Sequence, residues 1–457
     1  MLFHSQAFIL GFLPVVLGAY YALAARRVPR QMLLVAASLI FYGWWNVAYV
    51  PLLVALTLAN WLIARLFAGS GRRALLTAGI ALNLLVLAIF KYADFLGANV
   101  ALALGQAWGP LAIVLPLGIS FFVFQKISYL IDLRRGDRHI YGLLDFCLFV
   151  SFFPVLVAGP LVRHNEIIPQ FRADPRRPEM WDNLSRGAVL FVFGLFKKLA
   201  VADTLAPNVD RLFAQAASVP LNAAEAWSAA GGYALQIYFD FSGYSDMATG
   251  LALMFGLALP DNFDAPYAAT SIRDFWRRWH MTLSRFLRDY LYLPLGGNRR
   301  GPWRQAGNVV LTMLLGGLWH GAGWNFVLWG GAHGAALAVN GAWHRAAWRM
   351  PRALGWVLTS LFVVLAWVPF RAPDRGTALR MWIAMTGADG IGRVRLDDGL
   401  MFPLAALLAI LGPTSLHLAR VRLPPRPWVA IPTALVLVYL LLLSGGRTGT
   451  TFIYFQF

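Results

Sequence analysis

The sequence predicts an all-α polytopic membrane protein, and three observations carry that prediction. Of 457 residues, 59% are hydrophobic and 13% charged, against roughly 25% charged in soluble domains. The apolar residues fall in blocks near the length of about 20 residues that a helix needs to cross a bilayer. The arginines gather at the ends of those blocks, as expected where cationic loops stay on the cytoplasmic side. Only helices or closed barrels satisfy their backbone polar groups in lipid. Barrel strands would show alternation over about 10 residues, which these continuous runs lack.

In chain order, apolar spans are predicted near 8–25, 32–45, 48–66, 76–93, 110–131, 142–162, 187–203, 228–256, 306–319, 324–343, 354–371, 401–418 and 428–444. The first has no Lys or Arg before it and Arg26, Arg27 and Arg30 after it. That charge order predicts an uncleaved first span with its N-terminus outside. Pro154, Gly159 and Pro160 interrupt one span, and Lys197 and Lys198 mark another. About 11 true crossings plus re-entrant pieces are therefore expected, since broken backbone at membrane depth needs protein or water around it. Basic clusters at 26–30, 72–73, 134–138, 163–177, 345–352 and 420–426 mark the cytoplasmic side and place the tail after Ser444 outside. With no internal repeat and no long soluble stretch, residues 1–457 read as one integrated membrane domain, ending in a tail at 445–457.

The net charge of +18 is a topology signal in this setting and not a nucleic-acid footprint. Cys147 is the single cysteine, which excludes an internal disulfide and a cysteine-rich zinc site. The chain has no G-x-x-x-x-G-K-[ST] loop, no G-x-S-x-G elbow, no dinucleotide fingerprint and no H-E-x-x-H. Those absences exclude P-loop ATPases, serine hydrolases of that type and zincins.

Ser271–Leu295, SIRDFWRRWHMTLSRFLRDYLYLPL, differs from the spans. Ile272, Phe275, Trp276, Trp279, Leu283, Phe286, Leu287 and Tyr290 recur at helical spacing, with Arg273, Asp274, Arg277, Ser284, Arg288 and Asp289 opposite. This predicts one amphipathic helix over 271–295 lying in the membrane interface. Asp274–Arg278 and Arg285–Asp289 have the spacing of helical ion pairs. His280 falls at the border of the two faces, where an interface histidine and a site residue are both open readings.

His320 is the sharpest single residue. It lies in LTMLLGGLWHGAGWNF, a run with no other ionisable group. An ionisable side chain inside a membrane segment is costly and is a functional hypothesis by default. Gly316, Gly317, Gly321 and Gly323 around it permit close approach of a substrate or another backbone. His333, in WGGAHGA, reads as structural, and His4, His139, His164, His344 and His417 lie at span ends or in loops. Asp240 and Asp246, in YFDFSGYSDMATG, should be paired or line a wet cavity; a substrate pathway and a helix brace both fit. Acyl transfer to a hydroxyl without a covalent serine remains as a chemistry. It needs a base near the hydroxyl, for which histidine is suited, and donors aimed at the developing oxyanion. Trp319 and Asn325 are candidates for the donors, and Asp240, Asp246 and Arg277 are further candidate lining residues.

Seven ordered stretches resemble one family. They are FLPVVLGAYY near the start, LPLGISFFVFQKISYLIDLRRG at 115–136, FFPVLVAGPLVR at 152–163, GLFKKLAVADTLA at 194–206, QIYFDFSGYSDMATGLALMFG at 236–256, SIRDFWRRWHMTLSRFLRDYLYLPLGGNRRG at 271–301 and LTMLLGGLWHGAGWNFVLWGGAHG at 311–334. The chain resembles the membrane-bound O-acyltransferases, in particular their bacterial alginate O-acetyltransferase branch, over most of 1–345. The resemblance implies helices around a central funnel, and catalytic roles for His320 and His280. Ala332 stands where a large aromatic is expected before His333. The ending FIYFQF, Phe452 to Phe457, reads from its residues as an interfacial aromatic anchor. It also resembles a C-terminal signature of these acyltransferases, which implies that Tyr454 takes the acyl group and passes it on.

The enzyme so implied takes an acetyl group from a cytoplasmic thioester, acetyl-CoA, with no bound cofactor or metal. It serves a bacterial inner membrane, acting through an extracytoplasmic O-acetyltransferase partner on a polysaccharide, alginate-type or another cell-wall glycan. The competing reading, of a different class, is a transporter or export scaffold without chemistry.

Overall fold

The computed structural model describes residues 1–393, 399–424, 426–445 and 452–453. Its helices, in chain order, are α1 (Leu13–Ala22), α2 (Arg27–Gly43), α3 (Val50–Ser70), α4 (Arg73–Leu87), α5 (Ala93–Ala103), α6 (Ile119–Arg134), α7 (Leu143–Ser151), α8 (Phe153–Leu156), α9 (His164–Phe171), α10 (Met180–Phe196) and α11 (Asp203–Ala216). They continue with α12 (Ala223–Met254), α13 (Ile272–Arg278), α14 (Met281–Leu287), α15 (Gly301–His320), α16 (Trp324–Arg345), α17 (Arg352–Arg371), α18 (Arg375–Met385), α19 (Met401–Leu411), α20 (Ser415–His417) and α21 (Pro427–Gly445). No strand occurs among the described residues, as the continuous apolar runs required.

Among the described residues, four helical stretches are by length and composition long and apolar enough to cross a membrane: Val47–Ser70, Arg73–Ala103, Arg352–Arg371 and Pro427–Gly445. Their outward side chains suit lipid. On α21, Ile431, Leu435, Val438 and Leu442 are all exposed, a display of bulky apolar groups that water would penalise. The predicted 110–131 span is shorter than expected. Residues 106–118 carry no regular helix, and α6 starts only at Ile119. Pro110 and Pro116 lack backbone donors, and Gly118 holds a left-handed φ of 71°. A Cβ there would meet the Leu156 carbonyl oxygen at 2.7 Å. Over 142–162 the helix breaks into α7 and α8, as Pro154, Gly159 and Pro160 predicted.

The chain divides into two compact units. The first comprises Met1–Phe193, Tyr244–Pro260 and Ala419–Gly449. Its core is aromatic: Phe3, Phe8, Phe41, Phe153, Tyr244 and Phe255 are buried and pack ring on ring. Inside it α3 and α4 are joined by a reciprocal amide pair. Asn83 Nδ2 donates to Asn60 Oδ1 at 2.7 Å, and Asn60 Nδ2 returns at 3.4 Å. Such a pair links helices where lipid offers polar groups no alternative. Glycine permits another close crossing, since a Cβ on Gly187 of α10 would meet the Gly250 carbonyl of α12 at 2.6 Å. The first basic cluster does more than set topology. Arg27 and Arg172 both grip Asp145, at 3.3 and 2.8 Å, and Arg30 donates to the carbonyls of Ala24, Phe171 and Ala173.

The second unit comprises Gly194–Gly243, Asp261–Leu418 and Thr450–Phe457. Its centre is the α15–α16 hairpin, turned through Gly321 to Gly323. Gly317, Gly330 and Gly334 let the two backbones touch. A Cβ on Gly334 would lie 2.8 Å from Val310 Cα, and one on Gly330 would run into the Met313 carbonyl. Small residues at such seams are the membrane device for close helix approach. Helix α17 packs along α16 and presents Trp367, which stacks on Trp329 with centroids 5.8 Å apart.

The amphipathic helix predicted over 271–295 is not one helix. α13 ends at Arg278, Trp279 is extended, and His280 takes a left-handed conformation with φ 43° and ψ 53° before α14 begins. The segment 262–264 decides this. Asp264 N–H donates to the Arg278 carbonyl, while Asn262 accepts from the N–H groups of Met281 and Thr282. These bonds satisfy both orphaned helix ends, so the break is supported by its neighbours. The expected Asp274–Arg278 pair forms at 2.9 Å, and Asp289 is gripped by Arg288 at 2.7 Å.

Candidate active site

His320 is the last residue of α15 and is buried. Its imidazole is enclosed by aromatic faces. Trp319, Trp329 and Phe370 have ring centroids 4.9, 5.0 and 5.3 Å from it, all nearer edge-on than parallel. The helix has to stop here, because Gly321 is extended and turns the chain into α16. A histidine that ends a helix at a glycine turn is held by its backbone while its ring meets side chains from α16 and α17.

His280 lies near the same tryptophan. Its ring centroid lies 6.2 Å from that of Trp319, so Trp319 neighbours both histidines. Phe241 of α12 closes His280 edge-on at 4.7 Å. Its left-handed backbone costs of order 1–3 kcal/mol for a non-glycine residue and persists only where the surroundings over-determine it. Asn262 supplies much of that support. Its Oδ1 accepts from Thr282 Oγ1 at 2.8 Å and from the Thr282 N–H at 3.3 Å, and lies 3.1 Å from His280 Nδ1. The Thr282 N–H identifies this atom as the oxygen, and an amide oxygen has no hydrogen to give, so His280 Nδ1 is the donor and Nε2 keeps the lone pair. The segment lies outside the four long apolar helices, and burial pushes this imidazole down to about 3, so the neutral form prevails.

The other sequence candidates go to different places. Asp240 is buried and pairs with Lys198 at 2.8 Å, and Lys198 holds Asp203 at 2.7 Å. Asp246 is buried within the first unit. Arg277 is exposed on α13. Asn325 is buried, and its Nδ2 donates to the Ala372 carbonyl at 2.9 Å, tying α16 to the end of α17. Tyr454 lies outside the described residues. His333 is packed among side chains: Trp276 Nε1 donates to its Nδ1 at 3.2 Å, Phe362 meets it edge-on, and Trp329 lies tilted against it.

Sequence reasoning missed Asn262, Trp329, Trp367 and Phe370. No local signal marks Asn262, which stands 18 residues from its histidine. The three aromatics lay in runs that read as span interior.

The family model of the membrane-bound O-acyltransferases matches residues 8–370, a stretch that contains both histidines and their aromatic surround. The chain belongs to that family. A protein named "Probable alginate O-acetylase" from Azotobacter vinelandii is 44% identical over 397 residues, 84% of this chain and 78% of its own. A peptidoglycan O-acetyltransferase of Helicobacter pylori is 40% identical over 433 residues, 87% of this chain and 82% of its own. More distantly, a teichoic acid D-alanyltransferase of Streptococcus thermophilus is 29% identical over 244 residues, 49% of this chain and 56% of its own. As a membrane-bound O-acyltransferase the protein is an enzyme and a multi-pass membrane protein. Membership displaces the transporter reading. Asp240, one of the two carboxylates on which that reading drew, is paired with Lys198.

Proposed function

We propose that this enzyme takes an acetyl group from acetyl-CoA on the cytoplasmic side of a bacterial inner membrane and delivers it outside for O-acetylation of an exopolysaccharide, of the alginate type. The observation that supports it most is the pair of buried histidines about Trp319, in a chain whose relatives are named for polymer O-acetylation. In this reading the N-terminus and the tail face outward, and a separate extracytoplasmic O-acetyltransferase receives the group for the polysaccharide.

The first step requires a base, because a phenol with a pKa near 10 is a poor nucleophile while protonated. His320 takes the proton of the Tyr454 hydroxyl. The phenolic oxygen attacks the acetyl carbonyl, the new C–O ester bond forms and the C–S bond breaks. The thiolate leaves with the proton that His320 held. In the second step an acceptor hydroxyl on the partner or polymer attacks the tyrosyl ester, and its proton returns to the phenolate. His280 offers its Nε2 to the same reaction space, and the Trp319 indole N–H is a donor for the oxyanion. The dry aromatic wall raises the worth of each such bond.

The test is purified protein in liposomes given labelled acetyl-CoA, followed by peptide mass mapping. Covalent acetyl on the protein, chased to a polysaccharide fragment when partner is added, is the expected result. No label on the protein and none on the acceptor would overturn the reading.

Asn262 gives a sharper check in the same assay. Asn262→Ala removes the acceptor that sets the His280 tautomer, and a loss of about 10–100-fold is expected, the range for outer partners of functional histidines. Asn262→Asp keeps an acceptor oxygen and should recover much of the rate. Equal activity in all three proteins would remove His280's orientation from the mechanism.

A further inference from the structure

Lys198 lies on the π-turn Lys197–Ala202 that joins α10 to α11. Its ammonium sits between two carboxylates, Asp203 Oδ1 at 2.7 Å and Asp240 Oδ1 at 2.8 Å, and all three side chains are buried. Gly243 makes the arrangement possible, since a Cβ there would press on the Gly194 carbonyl at 2.7 Å and on Lys197 Cβ at 3.1 Å. Its absence lets the π-turn approach α12, one helical turn beyond Asp240. π-turns of this kind recur at functional sites.

A brace between two helices needs one acid and one base. This cluster has a second acid, and a buried surplus of negative charge requires a further donor. That donor is the backbone N–H of Ile453, which reaches Asp240 Oδ2 at 2.9 Å. Beside it the Phe452 ring lies 5.5 Å from Lys198 Nζ, within cation–π range. Phe452 and Ile453 are both buried, although the segment is 213 residues away in sequence from Asp240.

We propose that Lys198, Asp203 and Asp240 form a seat for the segment that carries Tyr454, with Asp240 a positioning residue that takes a backbone N–H as its ligand and Lys198 taking the neighbouring aromatic ring. The seat recognises main chain and one ring, so it fixes the segment's register at residues 452 and 453. It deepens the acyl-relay reading and rests on it, because a relay that shuttles between donor and acceptor needs a fixed root. Residue 453 is that root, one residue from the hydroxyl.

The test is hydrogen–deuterium exchange of the full chain in nanodiscs, read on the peptide that spans 452–457, beside acetyl transfer in liposomes. Asp240→Asn should speed exchange of that peptide by about 10–100-fold, the effect of weakening one charge-assisted bond, with α15 and α16 peptides unchanged. Since a buried-charge variant can misfold, Ile453→Pro is run as well: it deletes the N–H and leaves the ion cluster whole. Ile453→Ala, which keeps the N–H, should behave as wild type. Wild-type exchange of the 452–457 peptide in Asp240→Asn would overturn the seat. So would acceleration spread evenly over the chain, which marks a helix brace. Release of the segment in Ile453→Pro with a parallel fall in acetyl transfer supports seat and relay together. Release with undiminished transfer would sustain the seat and overturn the relay, so the two ideas fail separately.

Discussion

His320→Ala should reduce acetyl transfer by about 100- to 10,000-fold, the contribution of a positioned general base. The side chain ends α15 inside a wall of Trp319, Trp329 and Phe370, and none of those neighbours can accept a proton at working pH. Loss of the imidazole leaves the acceptor hydroxyl protonated, and water has little access to stand in for it. The measurement is labelled acetyl transfer in liposomes, with folding checked by size exclusion and thermal unfolding. His320→Gln is run beside it, because it preserves volume and hydrogen bonding but not basicity. Normal transfer in either folded variant would exclude His320 as the base.

The second large effect is expected from Tyr454→Phe, which removes a single oxygen atom. Covalent acetyl on the protein should disappear, and with it transfer to the polymer. Peptide mass mapping reads both. The change is small enough that Phe452 and Ile453 should keep their contacts with Lys198 and Asp240, so exchange of the 452–457 peptide serves as an internal control. Acetyl found on the variant at wild-type level would return the aromatic ending to the role of a membrane anchor.

How much of this was legible in the sequence depends on the range of each interaction. The helical membrane class came from bulk composition and block length, which are properties of the solvent as much as of the fold. Broken helix at Pro154 and Pro160 was legible because a missing backbone donor acts locally. His320 stood out because an ionisable group in an apolar run has a local cost. Ser271–Leu295 marks the limit. Its periodicity was sound, and its apolar residues are largely buried, yet the helix breaks at His280. The cause is Asn262, whose carbonyl groups offer the backbone a better partner than the next helical turn does. The start of α6 shows the converse error, where an apolar run was counted as helix across two prolines.

Composition, prolines and isolated charges dictate what the chain must live in, where its backbone stops being helical, and which ionisable groups have no local reason to be there. Those follow from water, lipid and covalent geometry, and need no partner to be identified. Which partners those groups have is settled by how the helices pack. That packing brought His280 to Trp319, the neighbour of His320, and it gave Asp240 to Lys198 and Ile453. Each of these meetings joins residues tens to hundreds of positions apart. Pairing of that kind is selected by packing of whole helices against one another, through glycine seams such as Gly317–Gly330 and Gly194–Gly243, and periodicity in one segment carries no record of it.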